Sequence, residues 1–353
     1  MRSRKPLLIV VGGFLGSGKT SLILCAADML TRRGARVAVI TNDQGDHLVD
    51  TRRARAQAID AAEVGGGCFC CRFSALIEAA DQLERFQPEY IFAEPVGSCT
   101  DVAATVLQPL LSFHAERFQV APYTVLVDPG IAARAHAASP SSDLRFLFES
   151  QIREADVVCY TKADLYTDVP PPVDDEDPPL RVSTVTGEGV REWLTLVANW
   201  RSPAGANTIE IDYDRYAAAE ASLGWLNAHV EIDARVPSSP SHVIGPLLDS
   251  LDAALARRGA SIVHLKLFDQ TQSSYLKAAI VHNGQQPVIE GDLLAPAERQ
   301  HQLTINLRAI APPELLRSAV EEVLACIEGE TRVDLAAFAP SYPKPEKRLS
   351  ARV

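Results

Sequence analysis

Two hydrophobic patterns divide the chain. In the first half, short apolar runs alternate with segments of helical spacing; residues 7–11 form the first run and Ser21–Leu30 the first such segment. Such short runs are typical of strands buried on both faces, and strands separated by helices pair in parallel. The pattern therefore predicts an α/β fold with a mostly parallel sheet flanked by helices. Further strands are predicted at 36–43, 88–93, 122–128, 157–160 and briefly before Ser183, and further helices at 74–86 and around 146–152.

The second half alternates apolar and polar residues, as strands with one buried face do. Helical spacing returns in a segment that ends at Arg258 and in residues 312–327. We therefore predict a smaller C-terminal α+β domain, in which helices cover an antiparallel sheet. Its strands are predicted at 225–233, 262–268, 275–282 and 303–310, with Leu276, Ala278, Ile280, Leu303, Ile305 and Leu307 facing the core.

Length and composition set limits on the class of protein. The 353 residues suffice for two domains, which we place at 1–203 and 204–339, with 340–353 as a flexible tail. Hydrophobic residues make up 47% and charged residues 22%, typical of a soluble globular protein, and the net charge of −11 disfavours nucleic acid as a partner. No apolar run reaches the length of a membrane span, and residues 12–20 interrupt the apolar stretch near the N-terminus that a signal peptide would need. We expect a cytoplasmic protein with no membrane partner.

A glycine-rich segment lies between the first predicted strand and the first predicted helix. Gly13, Gly18, Lys19 and Thr20 fit the pattern G-x-x-x-x-G-K-[ST] of a phosphate-binding loop. Its glycines let backbone N–H groups converge on an anion, and the helix directs its positive end to the same point. Lys19 adds charge for the outer phosphates, and the Thr20 hydroxyl can hold Mg²⁺. The candidate nucleotide contacts also include Gly16, Ser17 and Ser21.

Carboxylates follow the second predicted strand. Asp43, Asp46 and Asp50 lie in a polar loop beyond the carboxyl end of this strand, where open α/β sheets bind ligands. Asp43 is therefore a candidate catalytic residue and Mg²⁺ ligand, and Asp46 a candidate ligand of a second metal. The alternative is a solvated loop whose aspartates only stabilise turns.

Three thiols crowd into four positions after a run of glycines. Cys68, Cys70 and Cys71 suit a soft or borderline cation such as Zn²⁺ or Cu(I), and the helix that follows favours their thiolate form. A fourth ligand has to come from elsewhere, either water, Asp46 or His47. The alternative is small buried residues that pack a turn. The seven cysteines are too few and too scattered to form a disulfide framework.

Three further segments complete the nucleotide signature. Glu94 ends the third strand and Gly97 follows three residues later, an arrangement typical of a switch that senses a γ-phosphate or its Mg²⁺. Residues 161–164 are close to N-K-x-D, in which Asp164 accepts from guanine and the stem of Lys162 packs on the base. Thr161 replaces the asparagine, so the amide that braces this loop is absent. The segment that contains Ser183, a short strand followed by a helix, resembles the last guanine-contacting loop of GTPases.

With these motifs in order, the chain resembles the CobW-like branch of the CobW/UreG/HypB family of P-loop GTPases over roughly residues 7–200. The most specific mark is C-x-C-C between the phosphate loop and Glu94-Pro95-Val96-Gly97. The resemblance implies GTP or GDP as ligand, Mg²⁺, GTP hydrolysis through Lys19, Asp43 and Glu94, and a nucleotide-gated metallochaperone or insertase. It further implies a transition metal, with Zn²⁺ or Co²⁺ expected and nickel pathways also served by the family, a homodimer, and a client metalloprotein. The His-rich C-terminal stretch of many members is not present.

Three other functions remain open. The chain could be a GTPase gate that loads or protects a corrinoid-dependent enzyme without carrying metal. It could be a zinc reservoir without catalysis, which the phosphate loop makes improbable. It could be a small-molecule P-loop kinase, against which residues 161–164 argue.

Overall fold

A parallel sheet of short, buried strands forms the centre of the first of two structural units. A computed structural model describes residues 5–42, 59–139, 141–166 and 180–350. Within this part of the chain, the first unit contains the residues up to 216 together with 343–350, and the second contains 217–342. None of the described helices combines the length and apolar character that crossing a membrane requires.

The strands of the first unit run in the order β3-β2-β4-β1-β6-β7-β8, and β5 pairs with the start of β1. Every pairing is parallel, as the alternation of strands and helices predicts. The carboxyl ends of the strands therefore share one edge. The bounds are β1 Leu7–Gly13, β2 Val37–Asn42, β3 Asp60–Val64, β4 Tyr90–Glu94, β5 Gln119–Val120, β6 Thr124–Val127, β7 Val157–Tyr160 and β8 Leu180–Arg181.

Helices pack against this sheet through apolar faces. Ile23 of the first helix and Trp193 of the sixth lie in one buried cluster with Phe92 of β4. Burying each of these side chains contributes about 1.5–3 kcal/mol. The indole nitrogen of Trp193 also donates to the Thr124 hydroxyl, 3.1 Å away, so its one polar group is satisfied. The bounds are α1 Lys19–Thr31, α2 Phe73–Leu83, α3 Gln108–Phe113, α4 Pro129–Ala137, α5 Asp143–Arg153 and α6 Val190–Ala198, with a π-helical turn at Ala103–Leu107 before α3.

The second unit is an antiparallel sheet with helices packed on one face, as predicted. Its strand order is β12-β11-β10-β13-β9-β14. Leu276 of β11 and Leu303 of β13 are buried in one cluster with Leu251 and Leu316 of the helices, and all six residues predicted to face the core belong to it. The bounds are α7 Tyr213–Ala221, which begins in the first unit, β9 Gly224–Ser238, α8 Pro240–Arg257, β10 Ser261–Gln270, β11 Tyr275–Ile280, β12 Val288–Gly291, β13 Glu298–Ile310, α9 Pro313–Leu324 and β14 Gly329–Phe338.

The last described residues do not form the loose tail that the sequence predicts. The backbone N–H of Glu346 donates to the carbonyl of Cys70 at 3.1 Å, and that of Leu349 to the carbonyl of Ala104 at 2.9 Å. The Glu346 carboxylate accepts from the Ser74 hydroxyl at 2.7 Å. These bonds explain why residues 343–350 belong to the first unit rather than to an independent tail.

Candidate nucleotide site and metal centre

The loop between β1 and α1 has the backbone of a phosphate cradle. Gly13, Gly16 and Gly18 have φ values of 132°, 81° and 94°, which favour glycine. A Cβ on Gly13 would also lie 2.5 Å from the carbonyl oxygen of Leu126, so no larger residue fits. Helix α1 begins directly after Gly18 and directs its free N–H groups at the loop.

Two polar side chains of this loop face inwards. The ammonium of Lys19 donates to the carbonyls of Gly13 at 2.8 Å and Phe14 at 3.3 Å. The Ser17 hydroxyl is buried and has no hydrogen-bond partner among the described residues. A buried hydroxyl, a lysine folded over its own loop and converging N–H groups fit a polyphosphate, which offers the acceptor oxygens that these donors need.

Thr20 and Glu94 meet at the start of α1 and the end of β4. The Thr20 hydroxyl lies 3.0 and 2.9 Å from the two carboxylate oxygens of Glu94, and both residues are buried. A hydroxyl and a carboxylate are oxygen ligands of the kind that Mg²⁺ takes, so the pair fits that ion. Asp43, the third predicted participant, and Asp46, the predicted metal ligand, lie outside the described residues, as do Asp50 and His47.

The switch candidate packs directly on the phosphate loop. A Cβ on Gly97 would lie 2.8 Å from the Leu15 side chain and 3.1 Å from its Cα, so only glycine allows this approach. Gln151 of α5 holds the segment, because its amide donates to the carbonyls of Gly97 at 3.0 Å and Cys99 at 2.9 Å. Any movement of Leu15 therefore meets the backbone of this segment.

Thr161 braces the loop after β7, although the sequence suggested that this brace was lost with the asparagine. Its hydroxyl donates to the carbonyl of Ser17 at 2.8 Å. A Cβ added to Gly18 would lie 3.8 Å from the methyl carbon of Thr161. The candidate base-binding loop after β7 is therefore joined to the phosphate loop by a hydroxyl instead of an amide.

The next residues of this loop are held by two carboxylates. Lys162 has a φ of 57° and its ammonium forms an ion pair with the buried Asp128. Asp128 also caps α4 by accepting from the N–H of Gly130 at 2.7 Å. The exposed Asp164 accepts from the Ser183 hydroxyl at 2.6 Å. The structure thus brings together Thr161, Lys162, Asp164 and Ser183, the four residues of the predicted base-binding segments.

The three thiols of residues 68–71 converge on one point. The Sγ atoms of Cys68, Cys70 and Cys71 all lie within 4.8 Å of one another, and Cys68 and Cys70 are buried. A fourth thiol, which the sequence did not single out, also reaches this cluster. Sγ of the buried Cys99 lies 3.8 Å from Sγ of Cys70.

Asn42, at the end of β2, holds the loop that carries the thiols. Its amide nitrogen donates to the carbonyls of Val64 and Gly67, both at 2.7 Å, and its amide oxygen accepts from the N–H of Phe69 at 2.9 Å. All of its hydrogen bonds to this loop involve backbone atoms, so the loop is fixed without the use of a thiol.

Clustering and burial raise the pKa values of these thiols, contrary to the expectation that the helix favours thiolate. For Cys70, hydrogen bonding to Cys68, Cys71 and Cys99 together with burial raises the pKa well above its ordinary value. For Cys71, the contact with Cys68 raises the pKa to about 11 although the N–H of Lys344 opposes this rise. The contacts with Cys70 and Cys71 lower the pKa of Cys68, but Cys99 and burial make the net shift upward. Both clustering and burial thus favour the protonated form of these thiols over the thiolate.

Four residues near these sites were not predicted as functional: Asn42, Cys99, Asp128 and Gln151. Asp128 and Asn42 stand at strand ends, a signal that the sequence does carry. Cys99 and Gln151 carry no such signal, because their roles depend on contacts with residues distant in sequence.

A family match is consistent with this geometry. Residues 7–175 match the family described as CobW/HypB/UreG, nucleotide-binding domain. This range contains the phosphate loop, the four clustered thiols, Glu94, Gly97 and Asp164.

Individual relatives share less than a third of their aligned residues with this chain. The chain is 28% identical to the zinc chaperone YjiA of Escherichia coli over 43% of this chain and 48% of that protein. It is 28% identical to the zinc chaperone CobW of Pseudomonas aeruginosa over 46% of this chain and 50% of that protein. The chain therefore spans about half the length of the curated relatives it matches. Among solved structures, HypB from Helicobacter pylori in complex with nickel aligns with 19% identity and a TM-score of 0.40, over 56% of this chain and 90% of that chain.

Proposed function

Because this chain belongs, through residues 7–175, to the CobW/HypB/UreG family of nucleotide-binding domains, we propose that it is a GTP-hydrolysing metallochaperone. The observation that carries the proposal is the convergence of Cys68, Cys70 and Cys71 on one point. Their loop follows β3, and the phosphate loop follows β1 in the same parallel sheet. The loop that would bind the nucleotide and the loop that would bind the metal thus lie at one edge of the sheet, so a change of ligand in one loop can affect the other.

The nucleotide side of the proposal rests on the residues around the phosphate loop. Lys19 turns from the carbonyls of its own loop towards the outer phosphates, where a positive charge offsets the charge of the transition state. Thr20 and Glu94 would hold Mg²⁺, with Asp43 as a further participant, and the ion would supply positive charge that offsets the charge of the phosphate oxygens. The alternative role for the Glu94 carboxylate is to orient the attacking water.

Guanine selection rests on the second loop. Asp164 can accept two hydrogen bonds from guanine, a match that adenine does not offer, while Ser183 keeps the carboxylate in position. Asp128 fixes Lys162 so that its stem can cover the base.

The metal side of the proposal follows from donor chemistry. Thiols bind Zn²⁺ or Co²⁺ as thiolates, so binding releases their protons to solvent. Relatives named zinc chaperones favour Zn²⁺ as the cargo. We further propose that a client metalloprotein receives the ion, that the protein acts as a homodimer, and that it works in the cytoplasm, where its free cysteines stay reduced. A corrinoid gate that carries no metal leaves the thiol cluster without a role.

The test combines nucleotide and metal titrations on the full chain. Lys19→Ala should abolish GTP binding. Asp164→Asn should weaken GTP binding by removing a contact with the base, while the contacts with the phosphates remain. Equal affinity of the wild type for ATP and GTP would refute guanine selection. Zinc affinity is measured by competition with a coloured chelator in GTP and in GDP. Cys70→Ser should lose zinc, whereas Cys159→Ala, which removes a buried thiol of β7, should keep it. Zinc affinity that is independent of both Cys70 and the nucleotide would overturn the proposal.

A further inference from the structure

The fourth thiol has the spacing of a metal ligand. In a tetrahedral zinc site with Zn–S bonds of about 2.3 Å, neighbouring sulfurs lie about 3.8 Å apart. The Sγ atoms of Cys70 and Cys71 are 3.7 Å apart, and those of Cys70 and Cys99 are 3.8 Å apart. Cys70 thus has two thiol neighbours at the edge length of one tetrahedron.

The backbone around Cys99 holds its thiol in this place. The N–H of Cys99 donates to the carbonyl of Val96 at 2.9 Å, and its carbonyl accepts from the Gln151 amide at 2.9 Å. The side chain is 1% exposed. These contacts keep the buried Cys99 thiol beside Cys70, within reach of an ion that Cys70 binds.

We propose that Cys99 is the fourth ligand of the metal, so that Cys68, Cys70, Cys71 and Cys99 form a four-thiolate site. This inference rests on the proposed function, because it adds a ligand to the site proposed there. It replaces the water, Asp46 or His47 that the sequence suggested. Binding of one divalent ion by four thiols releases four protons and leaves the site with a net charge of −2. The N–H of Lys344, 3.1 Å from Sγ of Cys71, offsets part of this charge.

The position of Cys99 also links the proposed metal site to the nucleotide site. Cys99 lies two residues after Gly97, which packs on Leu15 of the phosphate loop. The proposed ligand therefore belongs to the segment that contacts the nucleotide site, whereas the other three thiols belong to the loop held by Asn42.

X-ray absorption at the zinc edge of the wild-type full chain tests the inference without any substitution. Four sulfur neighbours at about 2.3 Å are expected. Three sulfurs with one oxygen or nitrogen neighbour would overturn the four-thiolate site and leave the proposed function intact. A shell without sulfur would overturn both.

Chelator competition gives an independent readout. Cys99→Ser and Cys99→Ala should each weaken zinc binding about 100-fold or more, because loss of a ligand should cost at least as much as the 10–100-fold lost with an outer-shell partner. Cys159→Ala is the matched control and should keep wild-type affinity. If the Cys99 variants also keep it while Cys70→Ser does not, the inference is wrong; if Cys70→Ser keeps it too, the proposed function fails. Where a Cys99 variant does not fold, the sulfur count in the wild type decides.

Discussion

The Thr161 hydroxyl donates a 2.8 Å hydrogen bond to the backbone carbonyl of Ser17, 144 residues earlier in the chain. This bond joins the loop after β7 to the phosphate loop after β1. Both groups are buried, so the carbonyl of Ser17 has no access to water if the hydroxyl is removed.

We expect Thr161→Val to weaken binding of GDP about 5- to 10-fold, because a buried hydrogen bond of this kind contributes about 1 kcal/mol. Valine keeps the shape of threonine, so the effect isolates the hydroxyl. Titration with a fluorescent GDP analogue measures it. Thr161→Ser keeps the hydroxyl and should retain most of the affinity, and a valine variant that binds as tightly as the serine variant would contradict the brace.

Glu94 should affect hydrolysis more than binding. Glu94→Gln keeps an oxygen near the Thr20 hydroxyl but removes the charge, and we expect the rate of GTP hydrolysis to fall about 100-fold or more. GDP affinity without Mg²⁺ should change little, because Glu94 contacts the hydroxyl of Thr20, the group with which it would hold the ion. Single-turnover phosphate release gives the rate. An unchanged rate would remove Glu94 from the catalytic residues.

Glu154 should make the protein less stable as pH rises. Burial raises the pKa of this carboxyl from 4.5 to about 8, although the N–H of Ala103 and the Thr100 hydroxyl donate to it. Between these two pKa values the unfolded chain loses a proton that the folded chain keeps, so the free energy of unfolding falls as pH rises from about 4.5 to 8. At pH 7 this amounts to about 3 kcal/mol.

Glu154→Gln removes that titration; its amide oxygen can accept from the N–H of Ala103, and its amide nitrogen can donate to the Thr100 hydroxyl oxygen, which reverses that bond. We expect the variant to match the wild type near pH 4.5 and to exceed its stability progressively up to pH 8. Urea unfolding across this pH range measures the difference. Parallel pH curves for the two proteins would show that Glu154 does not titrate in this range.

Removal of residues 343–353 should expose the thiol cluster. The truncation removes the hydrogen bond from the N–H of Lys344 to Sγ of Cys71 and the ion pair between Arg348 and the buried Asp101, 2.8 Å apart. We expect faster reaction of Cys71 with a thiol reagent and a melting temperature lower by several degrees. Arg348→Gln in the full chain is the control, since it should lower stability without freeing Cys71. Equal thiol reactivity in the truncated and full chains would show that these residues do not cover the cluster.

The domain boundary near residue 203 is open to a similar test. The N–H of Gly205 donates to the Asp156 carboxylate at 2.6 Å, and the Tyr213 hydroxyl to that of Asp101 at 2.5 Å. A fragment of residues 1–203 lacks both bonds, whereas 1–221 keeps them. We expect both fragments to bind GDP and the longer one to melt at a higher temperature. If neither binds under conditions in which the full chain does, the nucleotide site depends on residues after 221, either the second unit or the segment 343–350 of the first unit.

The local motifs could be predicted because their chemistry lies within a few consecutive residues. The phosphate loop needs glycines, a lysine and a threonine at fixed spacing, and Cys68, Cys70 and Cys71 are too close in the chain to be far apart in space. The same holds for buried strands such as β1, because a short run of consecutive apolar residues is typical of a strand buried on both faces. Strands β3, β5, β12 and β14 were missed. Strand β3 mixes apolar residues with Asp60 and Glu63, β5 has only two residues, and β12 and β14 lie at sheet edges with mostly exposed side chains.

Contacts between distant segments could not be predicted in this way. Cys99 meets Cys70 across 29 residues, and the last residues of the chain meet the thiol loop across more than 270. Neither contact leaves a periodic or spaced signal, since each depends on which strands are neighbours and on how their carboxyl ends are oriented. The chemical type of each ligand is therefore a property of the local chain, whereas the number of thiols that surround one point is a property of the packed sheet.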